Sequence, residues 1–223
     1  MSQIKLKHSG GNGVIIAAPS SNPAADRTLL LPSDGDSTID TLGRTGNALQ
    51  TISTVKKDIF TTTATSTANG GSDGLGAYAS AVLVTGLTAT ITPLNSNNLL
   101  IIDIFVGAQG NTSDTVNFWY VVKDGNANTN FIGNQAGTNS NRVSASTRES
   151  DNARMHPLNI RVMETAGSTS ARTYGLKCLD VTGGSGTLVF GATGSHMTGS
   201  NATNGLYFIG SCPSTITVTE VSA

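Results

Sequence analysis

Charge is scarce in this chain. Of 223 residues, 13 are Lys or Arg and 14 are Asp or Glu, together 12%, about half the usual share. The formal net charge is −1 and no block of Lys or Arg occurs, which argues against electrostatic binding of nucleic acid. Cysteine is limited to Cys178 and Cys212 in unrelated contexts, so no disulfide framework is expected and both thiols are read as reduced. Aromatic residues make up 5%, few for a sugar-cleaving groove. The longest apolar run, 99–106, is broken by Asp103 and is too short to span a membrane. The N-terminus shows no secretory hydrophobic segment, so folding in a cytoplasm is expected, with no membrane insertion. No apolar stripe of period 3.6 stands out.

Gly, Ser, Thr and Asn take the place of the missing charge, alongside many Thr, Val and Ile. Such composition fits a β-rich protein with polar turns. Short apolar runs recur between Gly, Asn and Ser clusters, a pattern that predicts an antiparallel sandwich or jelly roll. Strands are expected over 55–61, 82–92, 99–106, 115–122, 131–133, 142–146, 158–163, 173–181, 187–191, 206–210 and 215–221. Lys123-Asp124-Gly125 predicts a tight hairpin turn. The Thr-, Ala- and Gly-rich stretch 62–81 reads as a long exposed loop or hairpin.

The first fifty residues differ. Ile4, Leu6, Val14, Ile16, Leu29 and Leu31 lie in very short runs punctuated by Gly or Pro. Such runs bury little within one chain. Two domains are therefore expected: 1–50, a short intertwined β segment for attachment and trimerisation, and 51–223, a β-sandwich knob.

Alternation along the strands points to assembly. In 115–122, Val116, Phe118, Tyr120 and Val122 share one face, which leaves Trp119 and Val121 on the other. In 99–106 both faces are apolar apart from Asp103. A sheet face open to water should not carry such residues, so Trp119, Val121, Leu99, Ile101 and Phe105 are the candidate subunit interface. The competing reading is that a long loop of the same chain covers them.

The opening Gln3-Ile4-Lys5-Leu6, Ser9-Gly10-Gly11-Asn12-Gly13-Val14, Pro19, Asn22-Pro23, the run 28–32, and Gly46 with Leu49-Gln50 resemble the start of fibre proteins of marine tailed bacteriophages such as cyanophages. Val84-Thr85-Gly86-Leu87 and the closing stretch 215–221 are similar to the same group. The resemblance implies a homotrimeric tail or head fibre on the virion. It would be joined to a tail adaptor, neck or capsid protein and present its knob to a host-surface glycan or protein. A decoration protein or head fibre without a primary receptor role is the alternative, and a polysaccharide-cleaving spike a further one.

No enzyme is expected, and no cofactor or metal. His8, His156 and His196 lack ligand spacing. Cys178 shares a face with Tyr174 and Leu176 and reads as a small core residue. Glu149, Asp151, Glu164 and Asp180 are the carboxylates available for glycoside hydrolysis, and the polar segment 148–154 reads as a solvated loop. Four loops rich in Asn, Ser, Thr and Gly, at 107–114, 125–130, 137–141 and 194–204, are the candidates for receptor contact.

Overall fold

The structure, a computed structural model, describes residues 3–7, 10–11, 13–17, 45–111, 115–137, 140–149, 156–181, 188–190 and 212–223. The chain forms two compact units, Met1–Asp40 and Thr41–Ala223. In the first, β1 (Gln3–Lys7) and β2 (Gly13–Ala17) form an antiparallel ladder with Ile4 opposite Ile16 and Leu6 opposite Val14. Leu29 and Leu31 lie outside the described residues.

The second unit is all-β. Its strands are β3 (Ala48–Lys56), β4 (Phe60–Thr62), β5 (Val82–Ile91), β6 (Leu99–Asn111), β7 (Thr115–Lys123) and β8 (Asn126–Ala127), followed by β9 (Ala145–Glu149), β10 (His156–Thr165), β11 (Arg172–Asp180), β12 (Leu188–Phe190) and β13 (Ser214–Val221). The division between units falls before β3 rather than after Gln50, because Ala48 and Gln50 already pair with β13. Two antiparallel sheets result. In the first, β6 is the hub: β10 pairs along one edge, while β13 and then β12 pair along the other, backed by β3 and β4. In the second, β7 takes β11 on one edge and β8 and β9 on the other, with β5 outside β11.

Strict alternation builds the core between the sheets. Leu100, Ile102, Ile104 and Val106 of β6, Leu158 and Ile160 of β10, and Ile216 and Val218 of β13 point inward. They meet Val84, Leu87, Ala89 and Ile91 of β5, Trp119 and Val121 of β7, and Tyr174, Leu176 and Cys178 of β11. Cys178 is thus a core residue, as its strand position suggests. Each such aliphatic side chain contributes about 1.5–3 kcal/mol on leaving water.

Strand β7 corrects the expected subunit face. Trp119 and Val121 are fully buried inside this chain's own sandwich, so neither is available to a second subunit. The opposite face of β7 holds a second cluster, Tyr120 and Val122 with Ala77, Ala81, Ile132 and Leu179, against which Phe118 also packs. Both faces of β7 are apolar because each has its own cover within one chain.

That cover is the segment 62–81, which is not a free hairpin. It is fastened by the segment 133–142: Gln135 Nε2 donates to the Gly71 carbonyl at 2.7 Å, Asn141 Nδ2 to the Ala68 carbonyl at 3.1 Å, and the Arg142 N–H to the Gly74 carbonyl at 2.7 Å. Asn141 Oδ1 in turn accepts the Ala77 N–H. Tyr78 meets Tyr120 edge-on at 5.2 Å, and Lys177 Nζ sits 4.6 Å over the Tyr78 ring, a favourable cation–π geometry.

Several expected elements shift. The strand at 55–61 is interrupted between β3 and β4, where Lys56 Nζ pairs with Asp58 at 2.6 Å. The expected strand at 131–133 is a 3₁₀ turn, Thr129–Phe131, capped by Asn128 accepting the Asn130 N–H. The expected strand at 206–210 lies outside the described residues. The Asp-Gly turn forms as expected, with φ of 52° at Asp124 and 77° at Gly125, the primed geometry that joins β7 to β8.

Strand directions define two ends. At the near end Thr45 Oγ1 donates to the Ala223 carbonyl at 3.0 Å and the Gly46 N–H to the Ser222 carbonyl at 2.9 Å, so the chain joins and leaves the sandwich side by side. Glu220 ties that end together. It accepts Gln50 Nε2 and Asn98 Nδ2, both at 2.6 Å, and the Leu94 N–H at 2.8 Å. The far end carries Lys56, Gly107, Thr115, His156 and Ser214.

Candidate functional site

The outer face of the first sheet is the most distinctive surface of the second unit. Its residues form rows fixed by strand register. One row runs Val55, Thr215, Phe105, Asn159; the next Ser53, Thr217, Asp103, Arg161; the third Thr51, Thr219, Ile101, Met163. Among the described residues, three of the five exposed large apolar side chains, Val55, Phe105 and Met163, fall on this face. Leu99, Ile101 and Phe105 of the expected interface therefore do lie outward, with Phe105 38% exposed and the other two half-buried.

The middle row is polar and pre-bonded. Arg161 Nε and Nη2 donate to the two Asp103 carboxylate oxygens at 2.5 and 2.9 Å, a two-pronged pair that fixes both planes. The pairing with Asp103 raises the Arg161 guanidinium above its ordinary value. Ser53 and Thr217 share a hydroxyl hydrogen bond of 2.9 Å. Above this row lies a shallow hollow of about 450 Å³ lined by Asp103, Phe105, Asn159, Arg161, Thr215 and Thr217, with Ile104 and Ile160. The sequence signalled this spot only through Asp103 inside an apolar run. Arg161, Asn159 and the β13 threonines belong to it because of pairing between distant strands.

A second polar cluster is buried at the near end. Glu164 accepts Lys123 Nζ at 2.9 Å, Asn128 Nδ2 at 3.0 Å and the Tyr174 hydroxyl at 2.5 Å, with Arg172 Nη1 at 3.7 Å. Burial, then the bond to Glu164, pushes the Tyr174 phenol well above its ordinary value. Both carboxylate oxygens accept hydrogen bonds, which makes this a structural network. Asp180 is also buried, on the opposite end of β11 from Arg172. Glu149 ends β9, and Asp151 lies outside the described residues. Among the described residues no group of three His, Cys, Asp or Glu could hold a metal ion. His156 opens β10 and is exposed, while His8 and His196 lie outside the described residues.

Of the four candidate loops, 125–130 lies at the near end beside the turn to β8, and 137–141 belongs to the fastening of the segment 62–81, apart from 138–139, which are not described. The loop 107–114 begins at the far end of β6, with 112–114 outside the described residues; 194–204 lies wholly outside them. Among the described residues no helix is long and apolar enough to cross a membrane. No protein-family model matches the sequence, and no curated protein matches it.

Proposed function

We propose that this chain is a virion structural protein, a homotrimeric bacteriophage fibre in which the N-terminal unit attaches to the particle and the sandwich is the knob that meets the host surface. The observation that carries this reading is the division of the chain into a short β1–β2 ladder and a two-sheet all-β sandwich.

The topology supports a jelly roll. The eight principal strands pair first with last and inward from there: β3 with β13, β5 with β11, β6 with β10, β7 with β9. That nesting is what a single two-stranded ribbon gives when it folds over into two sheets, an architecture shared by viral capsid and lectin domains. Fold alone does not assign function; the resemblance of the opening residues to phage fibres supplies the rest. Since β7 is covered within the chain, subunit contact falls chiefly to the N-terminal unit. On this reading the sandwich acts by binding, and Glu164, held by Lys123, Asn128 and Tyr174, has a structural role.

Light scattering on the full-length protein tests the assembly. A mass near three times the 22.8 kDa subunit is expected, and antibody labelling of particles in electron micrographs should place it on a fibre. A monomer in solution, or particles that carry no label, would reject the reading.

A further inference from the structure

We infer that the hollow over Asp103, Phe105 and Arg161 is a binding site for a neutral saccharide unit. This gives the attachment role proposed above a ligand class and a location, and it rests on that reading only in requiring the sheet face to stay open in the assembly.

Charge selects the ligand. Asp103 and Arg161 cancel each other at contact distance, so a formal anion meets the carboxylate and a formal cation meets the guanidinium. Neither group is used up. Asp103 keeps lone pairs, Arg161 keeps donors beyond Nε and Nη2, and their side chains are 39% and 67% exposed. A carboxylate and a guanidinium side by side offer an acceptor next to a donor, the arrangement that adjacent hydroxyls of a polyol can satisfy from both sides. Thr215, Thr217 and the Asn159 amide line the same hollow, and each can donate and accept.

Phe105 supplies the apolar half. It stands in the row beside Asp103 and is partly exposed, which gives the C–H face of a sugar ring an aromatic surface whose negative π-face attracts polarised hydrogens. The volume of about 450 Å³ sits within the range of small-molecule sites, about 300–1,000 Å³. All six side chains come from strands locked in register, so the site is preorganised. The polar row divides the apolar residues of the face, which disfavours a protein partner needing continuous apolar contact. A shallow site of this kind binds weakly, and several copies on one particle would raise the avidity.

The test uses full-length protein and saturation-transfer NMR with the methyl glycosides of glucose, galactose, mannose and N-acetylglucosamine, and with glucuronate as the anionic comparison. At least one neutral glycoside should give a saturable signal in the millimolar range. Asp103→Asn should weaken it by about tenfold, the size of one lost hydrogen-bonded contact, and Phe105→Ala by about tenfold through the lost aromatic surface, while thermal stability and solution mass stay at the wild-type values. Because both side chains are surface groups, Thr217→Val serves as a further variant if either folds poorly. The inference is overturned if no neutral glycoside binds, if glucuronate binds better, if binding survives both substitutions, or if Phe105→Ala dissociates the assembly and so places another copy on this face. Binding by a monomer would uphold this site and reject the trimeric fibre.

Discussion

Trp119 and Tyr120 are neighbours in sequence that belong to different cores. Trp119 is buried between the sheets, while Tyr120 is buried beneath the segment 62–81 on the other side of the same strand. Trp119→Ala should cost about 3–5 kcal/mol through lost contacts and a residual cavity. The Tyr120 hydroxyl has no hydrogen-bond partner among the described residues, and burial, then the nearby Tyr78, raises its ionisation above the ordinary phenol value. Tyr120→Phe should therefore leave stability unchanged or raise it by up to about 1 kcal/mol. Urea denaturation of both variants checks this; a small loss in each would remove Trp119 from the core.

Acid should loosen the near end through Glu220. Burial alone would raise this carboxyl, but hydrogen bonds from Gln50, Asn98 and the Leu94 and Asn95 amides outweigh it and hold it below its ordinary value of 4.5. A folded value below the unfolded one means the stabilisation is complete above about pH 4.5 and is lost as pH falls through the folded value. Glu220→Gln should cost about 1–3 kcal/mol at neutral pH, since an amide nitrogen would face donors, and should flatten the acid limb of the stability curve. Melting temperatures across pH 2–7 for both proteins measure it; parallel curves would reject the assignment.

The fastening of 62–81 can be broken at a single glycine. A Cβ on Gly70 would lie 1.9 Å from the Ser140 carbonyl oxygen, backbone that cannot yield, whereas one on Gly133 would meet nothing within 4 Å. Gly70→Ala should destabilise by about 2 kcal/mol or more, and Gly133→Ala by about 0.5 kcal/mol or less. Hydrogen exchange at the Ala77 amide, bonded to Asn141, should accelerate only in the first variant. Equal exchange in both would mean the two segments are not joined there.

Local patterning made much of the sandwich legible. Strands β5, β7, β11 and β13 fall close to their expected spans because alternation over several residues leaves little freedom of register. The inward face of β7 was not legible. A period of two shows that Trp119 and Tyr120 lie on opposite faces, but not which face meets the partner sheet. The cover that decides it, Leu75, Ala77, Tyr78 and Ala81, lies in a Thr-, Ala- and Gly-rich stretch without strand periodicity. At Thr129–Phe131 the Asn128 cap overrode the β propensity of Phe131 and Ile132. The rows on the outer face escaped for another reason: Arg161 stands opposite Asp103 only once β10 has paired with β6, and no local pattern encodes that pairing.

The side-by-side placement of Thr45 and Ala223 sets how the sandwich responds to force. Strands β3 and β13 are antiparallel neighbours whose adjacent ends carry those residues. Tension applied between the two would peel the ladder open one bond at a time. Tension running from Thr45 to the far end instead pulls along the strands, so the cross-strand bonds, which stand perpendicular to that direction, resist together in shear. The sandwich is weakest where Thr45 and Ala223 are drawn apart and strongest along its strands.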